Sequence, residues 1–239
     1  MPNWCFNKMS VWTDGSDGSH EQLMEFKDTT IVNENVVKDN GEIDSREKMT
    51  FQGVIPRPKS LEITSGSAVE DAMALIRAKA GDLKDVKSMI KNRNWMHEGK
   101  NAIFHKKDKV KDKVQAIIDY LEENAEINDL TEAKIALNNI KEHGAKDWYD
   151  WSIRNWGCKW EPSLNHWDHW DDSMELDFET PWSPPEPWIH AVSKKFPNLM
   201  IKVHVTEESD AYMGIITANN GQMVPNFVDI HWPEPTTDQ

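Results

Sequence analysis

Apolar and polar residues alternate from the fourth position. In WCFNKMSVW, Trp4, Phe6, Lys8, Ser10 and Trp12 share one face of an extended chain and Cys5, Met9 and Val11 share the other, which predicts a central strand. TDGSDGS supplies turn residues, and HEQLMEFKDTT then predicts a short helix with Ser19 as its cap and Leu23, Met24 and Phe26 as its apolar members. The segment Asn33–Glu47 is polar and reads as a loop. KMTFQGVIPRP alternates again until Pro56 and Pro58 end it, which predicts a second strand.

From Ser65 the period becomes helical. SGSAVEDAMALIRAKAG offers a capping box of Ser67 with Glu70, an apolar stripe of Val69, Met73 and Ile76, and Gly81 as a stop. Three more helices are predicted: Leu83–Met96; Lys109–Asn124, with Val110, Val114, Ile117, Ile118 and Leu121 on one side; and Leu130–His143, with Ile135, Leu137 and Ile140, closed by Gly144. A last helix through AKDWYDWSIRNW places Trp148, Trp151 and Asn155 near one another, and Gly157 breaks it. SMELDFETPW then alternates Met174, Leu176 and Phe178 inward against Glu175, Asp177 and Glu179. SPPEPWIHAVSKKFP predicts a helix opened by prolines, with Trp188, Ile189, Val192 and Phe196 as its buried stripe. NLMIKVHVTEES and AYMGIITANNGQM are two further strands.

With the helical block removed, the order is βαββαβ plus one strand. The expected fold class is α+β: a split ferredoxin-like antiparallel sheet with an extra C-terminal strand and a helical insertion, two helices covering one face. The expected organisation is a discontinuous ferredoxin-like domain over 1–63 and 145–231, the insertion over 64–144, and a tail over 232–239.

Charge sharpens this division. The formal net charge is −14, and residues 148–239 alone carry 5 Lys and Arg against 15 Asp and Glu, whereas residues 64–147 balance at 15 against 15. So acidic a third disfavours direct binding to nucleic acid, whose affinity comes from Lys and Arg at phosphates, and suits a basic partner. The basic run Lys100–Val114 lies where a helix begins and reads as a solvated face. No apolar run approaches the roughly 20 residues of a membrane span, and MPNWCFNK lacks the apolar core of a signal peptide, so a cytoplasmic location and no membrane partner are expected. The two cysteines, Cys5 and Cys158, form no CxxC pair and are expected as reduced, buried thiols.

The chemistry concentrates in WYDWSIRNWGCKWEPSLNHWDHW, which holds six of the chain's twelve tryptophans. One reading makes Trp148, Trp151, Trp156, Trp160, Trp182 and Trp188 a hydrophobic cap; the other makes the block a partner-binding concavity, with Trp151, Trp160 and Trp182 as aromatic walls and Arg154 and Lys159 supplying charge. Asp168, Asp171, Asp172, Glu175, Asp177 and Glu179 are the carboxylates expected to meet a basic partner. HWDHWDD is the one metal-like cluster: His166, Asp168 and His169 on a turn of helix could hold a divalent ion, although a solvated acidic loop over buried tryptophans explains the same residues and no cofactor is required. GxxxxGK[ST], GxGxxG and GxSxG are absent, and so is the RNP1 pattern that would accompany base stacking on the Trp4–Trp12 face.

The segments PNWC, IPRP, DWYDWSIRNWGCKW and FETPWSPPEPW resemble the YubB-like family of plasmid and phage proteins, over roughly 1–60 and 145–218. Where most members would carry a small residue such as threonine in the WGxKW segment, this chain has Cys158. The resemblance implies a ferredoxin-like core and a bacteriophage or mobile-element origin, and it implies no established activity. The expected function is a non-enzymatic accessory protein that binds a host protein with a basic surface, possible counter-defence included. The alternatives are a small metal-dependent hydrolase built on His166, Asp168 and His169, and an RRM-like nucleic-acid-binding module.

Overall fold

The computed structural model describes residues 3–99, 102–209 and 211–229. In chain order its elements begin with β1 (Trp4–Thr13), α1 (Ser19–Thr30), β2 (Ile31–Val37) and β3 (Ile43–Met49). The helices α2 (Ser67–Lys79), α3 (Lys84–Asn92), α4 (Val110–Asn124), α5 (Ile127–His143) and α6 (Trp148–Trp156) follow. β4 (Ser163–His169), β5 (Ser173–Pro181), α7 (Glu186–Lys195), β6 (Leu199–Glu207), β7 (Tyr212–Asn219) and β8 (Gln222–Asp229) complete the order. The chain divides into two units, Met1–Arg57 with Ser152–Gln239, and Pro58–Trp151. The predicted tail, 232–239, lies outside the described residues.

In the first unit, six strands form one antiparallel sheet in the order β4-β5-β1-β6-β7-β8. The four strands β4, β5, β1 and β6 are the ferredoxin-like set: β1 pairs with β5 on one side and β6 on the other, so each of the two βαβ units is split by a strand from the other. The fold class is therefore the expected α+β ferredoxin-like one. The sheet's inward face carries Cys5, Met9 and Val11 of β1, Met174, Leu176 and Phe178 of β5, and Ile201, Val203 and Val205 of β6, all buried. Leu23 and Phe26 of α1 and Trp188, Ile189 and Val192 of α7 are the buried members of the helical layer, and Phe26 meets Phe196 edge-on at 5.7 Å. Asn7 also points inward; its amide donates to the Cys5 carbonyl at 2.9 Å and the Thr180 hydroxyl at 2.9 Å, which satisfies a polar group that would otherwise be costly to bury.

Asn33–Glu47 is no loop: β2 and β3 pair in a separate hairpin. It escapes a hydrophobic reading because much of it faces solvent, with Ile43 70% exposed, and because it is joined across the strands by charge. Glu34 accepts hydrogen bonds from Arg46 at 2.9 Å and Lys48 at 2.6 Å, and these donors hold its carboxyl below the usual range. The predicted strand KMTFQGVIPRP stops at Met49 and turns, Val54 and Ile55 both donating to the Phe51 carbonyl. The second ferredoxin-like strand is instead β4, an exposed edge strand whose pairing slips between Leu164 and His166, so it shows no clean alternation. Two strands rather than one extend the sheet after β6, because β8 returns from β7 through the Asn220–Gly221 turn.

The turn after β3 supplies a central piece of the core. The Phe51 ring lies 4.7 Å from Trp188, 5.8 Å from Trp156 and 6.4 Å from Phe178. The Trp156 indole N–H donates to the Ile55 carbonyl at 3.0 Å and that of Trp188 to the Phe51 carbonyl at 3.3 Å. Gly53 is required in this turn, since a Cβ there would sit 1.9 Å from the Thr29 carbonyl oxygen at the end of α1.

In the unit Pro58–Trp151, α2 packs on α5 through Val69, Ala72, Met73, Ala133 and Ala136, the three alanines letting the helices approach closely. A second cluster joins α2, α3 and α4 around Leu75, Val86, Met89, Ile117 and Leu121. α5 ends at Gly144 in the left-handed region, as expected, whereas Ile135 and Val110, read as core positions, are exposed. Neither expected side-chain cap forms at Ser19 or Ser67, and Glu70 instead pairs with Lys146. The predicted Leu83–Met96 helix is α3 followed by a separate 3-10 turn, Asn94–Met96.

Cys5 and Cys158 are free and buried, the Tyr212 hydroxyl donating to the Cys5 sulfur at 3.7 Å. Burial pushes the Cys5 thiol up to about 11 and raises Cys158 as well. A thiol reagent such as DTNB at pH 8 is therefore expected to react far more slowly with the native chain than with the denatured one, which should release both thiols. Each thiol holds its proton more tightly folded than unfolded, so its contribution to stability is complete below about pH 9 and falls above it. Phe51→Ala is expected to cost about 3–5 kcal/mol in urea denaturation, as for aromatic truncations in cores.

Candidate functional site

The outward face of the sheet is built by the same alternation that builds the core. Because the strands pair in register, outward residues form rows that cross it. One row runs His166, Asp177, Lys8, His204, Ile215 and Asn226. Beside it run Glu179, Phe6, Thr206, Met213 and Val228, and on the other side Asp168, Glu175, Ser10, Lys202, Thr217 and Val224. Read along the strands, the face has an acidic band on β5, a basic and imidazole band on β1 and β6, and an aliphatic band on β7 and β8. Phe6 and Trp12 stand outward on β1, 43% and 36% exposed.

Two depressions lie on this face. One, of about 290 Å³, is lined by Phe6, Lys8, Asn165, Asp177, His204 and Thr206. The next, of about 280 Å³, is lined by His204, Thr206, Met213, Ile215, Asn226 and Val228. They share His204 and Thr206 and so lie side by side, a two-part groove across the strands. Among the described residues Asp177 Oδ1 is buried with no hydrogen-bond partner, and Lys8 Nζ lies 3.6 Å from Glu175, both the Lys8 and Glu175 side chains well exposed. A cleft of about 400 Å³ between helices in the unit Pro58–Trp151 also holds charge, but its cations are already engaged: Arg77 by Asp85, Arg93 by Asp71 and Lys146 by Glu70.

The structure brings together some of the expected site residues and separates others. Glu175, Asp177 and Glu179 alternate on β5 with Asp168 beside Glu175, so these four expected carboxylates share the outward face. Asp171 and Asp172 sit in the β4–β5 turn at the sheet's end, where their carbonyls accept from His20 and Thr13 rather than lining the groove. Trp151 is 7% exposed on α6, so it is a core residue and no aromatic wall. Trp156 and Trp188 are core too, whereas Trp160 and Trp182 are exposed, and Lys159 Nζ lies 4.4 Å over the Trp160 ring. Arg154 is exposed on α6. The tryptophan block is thus split, part core and part surface.

The expected metal trio fails for a reason of period. These residues lie on a strand and not on a turn of helix, so His166 and Asp168 share a face and hydrogen-bond at 2.8 Å while His169 falls on the other. Among the described residues no group of three His, Cys, Asp or Glu side chains could hold a metal ion. Sequence reasoning missed the groove's other half, His204, Met213, Ile215 and Val228, although the alternation of NLMIKVHVTEES already separates His204 from the buried positions.

Trp182 is 56% exposed and adopts a positive φ of 73°, with its N–H donating to the Asn3 carbonyl at 2.9 Å. A bulky residue in that region is strained, and such strain clusters at functional positions.

Fold and face together define an α+β protein with a ferredoxin-like sheet. Residues 156–230 match a family model described as the ferredoxin-like domain in Api92-like protein. Among solved structures, the chain is similar to the crystal structure of a protein Api92 from Yersinia pseudotuberculosis, at 12% identity and a TM-score of 0.40, over 98% of this chain and 99% of that one. No curated protein matches the chain. Among the described residues no helix is long and apolar enough to cross a membrane.

Replacing Trp182 separates packing from backbone strain. Trp182→Gly is expected to be more stable than Trp182→Ala by about 1 kcal/mol in denaturant titration, the reverse of the usual order, because only glycine is at ease at that φ.

Proposed function

We propose that the chain is a non-enzymatic accessory protein of a bacteriophage or other mobile element, acting in the host cytoplasm by binding a host protein with a basic surface. The observation that carries this reading is the acidic strand: Glu175, Asp177 and Glu179 point outward on β5 beside a central strand that displays Phe6 and Trp12. Exposed aromatics give a protein interface its anchors, and ordered carboxylates give it orientation and a fast encounter with a basic partner. The mobile-element origin and YubB-like affiliation draw on the resemblance of the chain's two ends. Counter-defence fits the same face, with carboxylates standing where a host enzyme expects phosphates.

An RRM-like reading draws on Phe6 and Trp12, but the strand next to β1 presents carboxylates where phosphates would have to approach, and this favours protein over nucleic acid as the partner. A metal-dependent hydrolase has less support, since His169 faces away from His166 and Asp168.

The test is affinity capture from bacterial lysate with the wild-type chain and a Glu175→Gln/Asp177→Asn/Glu179→Gln triple variant. A basic host protein held at about 50 mM salt, released near about 500 mM and ignored by the variant is the expected result. Retention by both chains, or binding indifferent to salt, would count against the acidic face.

A further inference from the structure

The chemical bands of the open face have a spacing as well as an order. Neighbouring strands lie about 4.8 Å apart, so along the row through the groove Asp177, Lys8, His204 and Ile215 fall at about 0, 4.8, 9.6 and 14.4 Å. An extended chain turns every second side chain to the same side and advances about 6.7 Å between them. Laid across the strands with one such side chain over Asp177, it sets the next, about 6.7 Å on, between Lys8 and His204, and the third, about 13.4 Å on, against Ile215.

We infer that this groove takes an extended segment of the partner protein in which a basic, an acidic and an aliphatic side chain occupy alternate positions. The inference rests on the reading of the open face as the docking surface and adds the order of side chains it recognises. At the first position an Arg or Lys meets the Asp177 carboxylate, one of whose oxygens is buried without a hydrogen-bond partner, with Phe6 of the neighbouring strand lining the same depression. Charge-assisted hydrogen bonds to a carboxylate are the strong class, and Asp177 lines the depression where such a donor arrives. At the second position an Asp or Glu meets Lys8 and His204; the exposed Lys8–Glu175 pair at 3.6 Å is weakly held and gives little resistance. At the third a Leu or Ile covers Ile215, Met213 and Val228, which are otherwise left open to water. The small volume of each depression suits an extended occupant: each has room for one or two side chains, whereas a helix is about 10 Å across.

The experiment is a ¹⁵N NMR titration of the full chain with two synthetic peptides of identical composition, Gly-Arg-Ser-Glu-Ser-Leu-Gly and Gly-Glu-Ser-Arg-Ser-Leu-Gly. The first is expected to give saturable shifts at Asp177, His204 and Ile215 with Kd on the order of 1 mM, and the second to bind at least about fivefold more weakly. Asp177→Asn and Ile215→Ser should each weaken the first peptide by about fivefold. Equal response to both peptides overturns the inferred order while leaving an acidic docking face intact. No saturable shift in the groove with either peptide overturns the inference as well, and the capture experiment then judges the docking face separately. Because the comparison of peptides needs no variant, it holds even if a substitution fails to fold.

Discussion

The ring of Phe51, lodged among Trp156, Trp188 and Phe178, is the contact on which the sheet unit depends. It joins four places in the chain: the turn after the β2–β3 hairpin, the end of α6, the middle of β5 and the start of α7. Backbone carbonyls of the same turn accept both buried indole N–H groups, so two large amphipathic side chains are packed and satisfied at once. Glu161 ties the turn from another side, accepting the Phe51 N–H at 2.8 Å. The turn cannot withdraw, because Gly53 lies against the last residues of α1 with no room for a Cβ. Trp156, one of the six tryptophans between residues 148 and 170, and Trp188 thus pack around a residue, Phe51, that comes a hundred or so positions earlier in the chain.

That dependence also explains what was legible in the sequence. Where a strand is buried on one face, as in β1, β5 and β6, alternation shows both its existence and its orientation, and the ferredoxin-like class follows from those strands with α1 and α7. Where pairing is not paired with burial, alternation is silent. The hairpin β2–β3 is joined by Glu34, Arg46 and Lys48 across its strands, and β4 is a polar edge strand with a slip in register, so both looked like loops. The apolar residues of TFQGVI fall in a turn that plunges Phe51 into the core, and a period-two reading took that turn for a strand. The helical block is helical as expected, but the α2–α5 contact uses Ala72, Ala133 and Ala136 rather than Ile135, because close helix approach favours small side chains that a hydrophobicity stripe undervalues.

The candidate site was legible in part, and the reason is the same. The carboxylates of β5 were visible because they alternate with core residues. The cations and aliphatics that complete the face sit on β6, β7 and β8, and only the sheet order places them beside β5 and β1. Sequence can say which residues of a strand face outward; it cannot say which strands are neighbours. The metal reading of HWDHWDD failed at that level too, since a helical period and an extended one assign His166, Asp168 and His169 to different faces.

One consequence concerns the charge. Residues 148–239 carry most of the chain's −14, yet on the open face the carboxylates are confined to β4 and β5, and Lys8, Lys202 and His204 occupy the next two strands. A surface that merely kept the protein soluble would gain nothing from such sorting, whereas one that must orient a partner gains from it, because a banded field distinguishes a correct placement from one shifted by a single strand spacing of about 4.8 Å. For the segment proposed above, such a shift would set its cation over Lys8. Antiparallel register is what makes the banding possible: it holds each outward side chain opposite its neighbours, so the pairings that align Cys5, Met9 and Val11 with the core also align the charges above them.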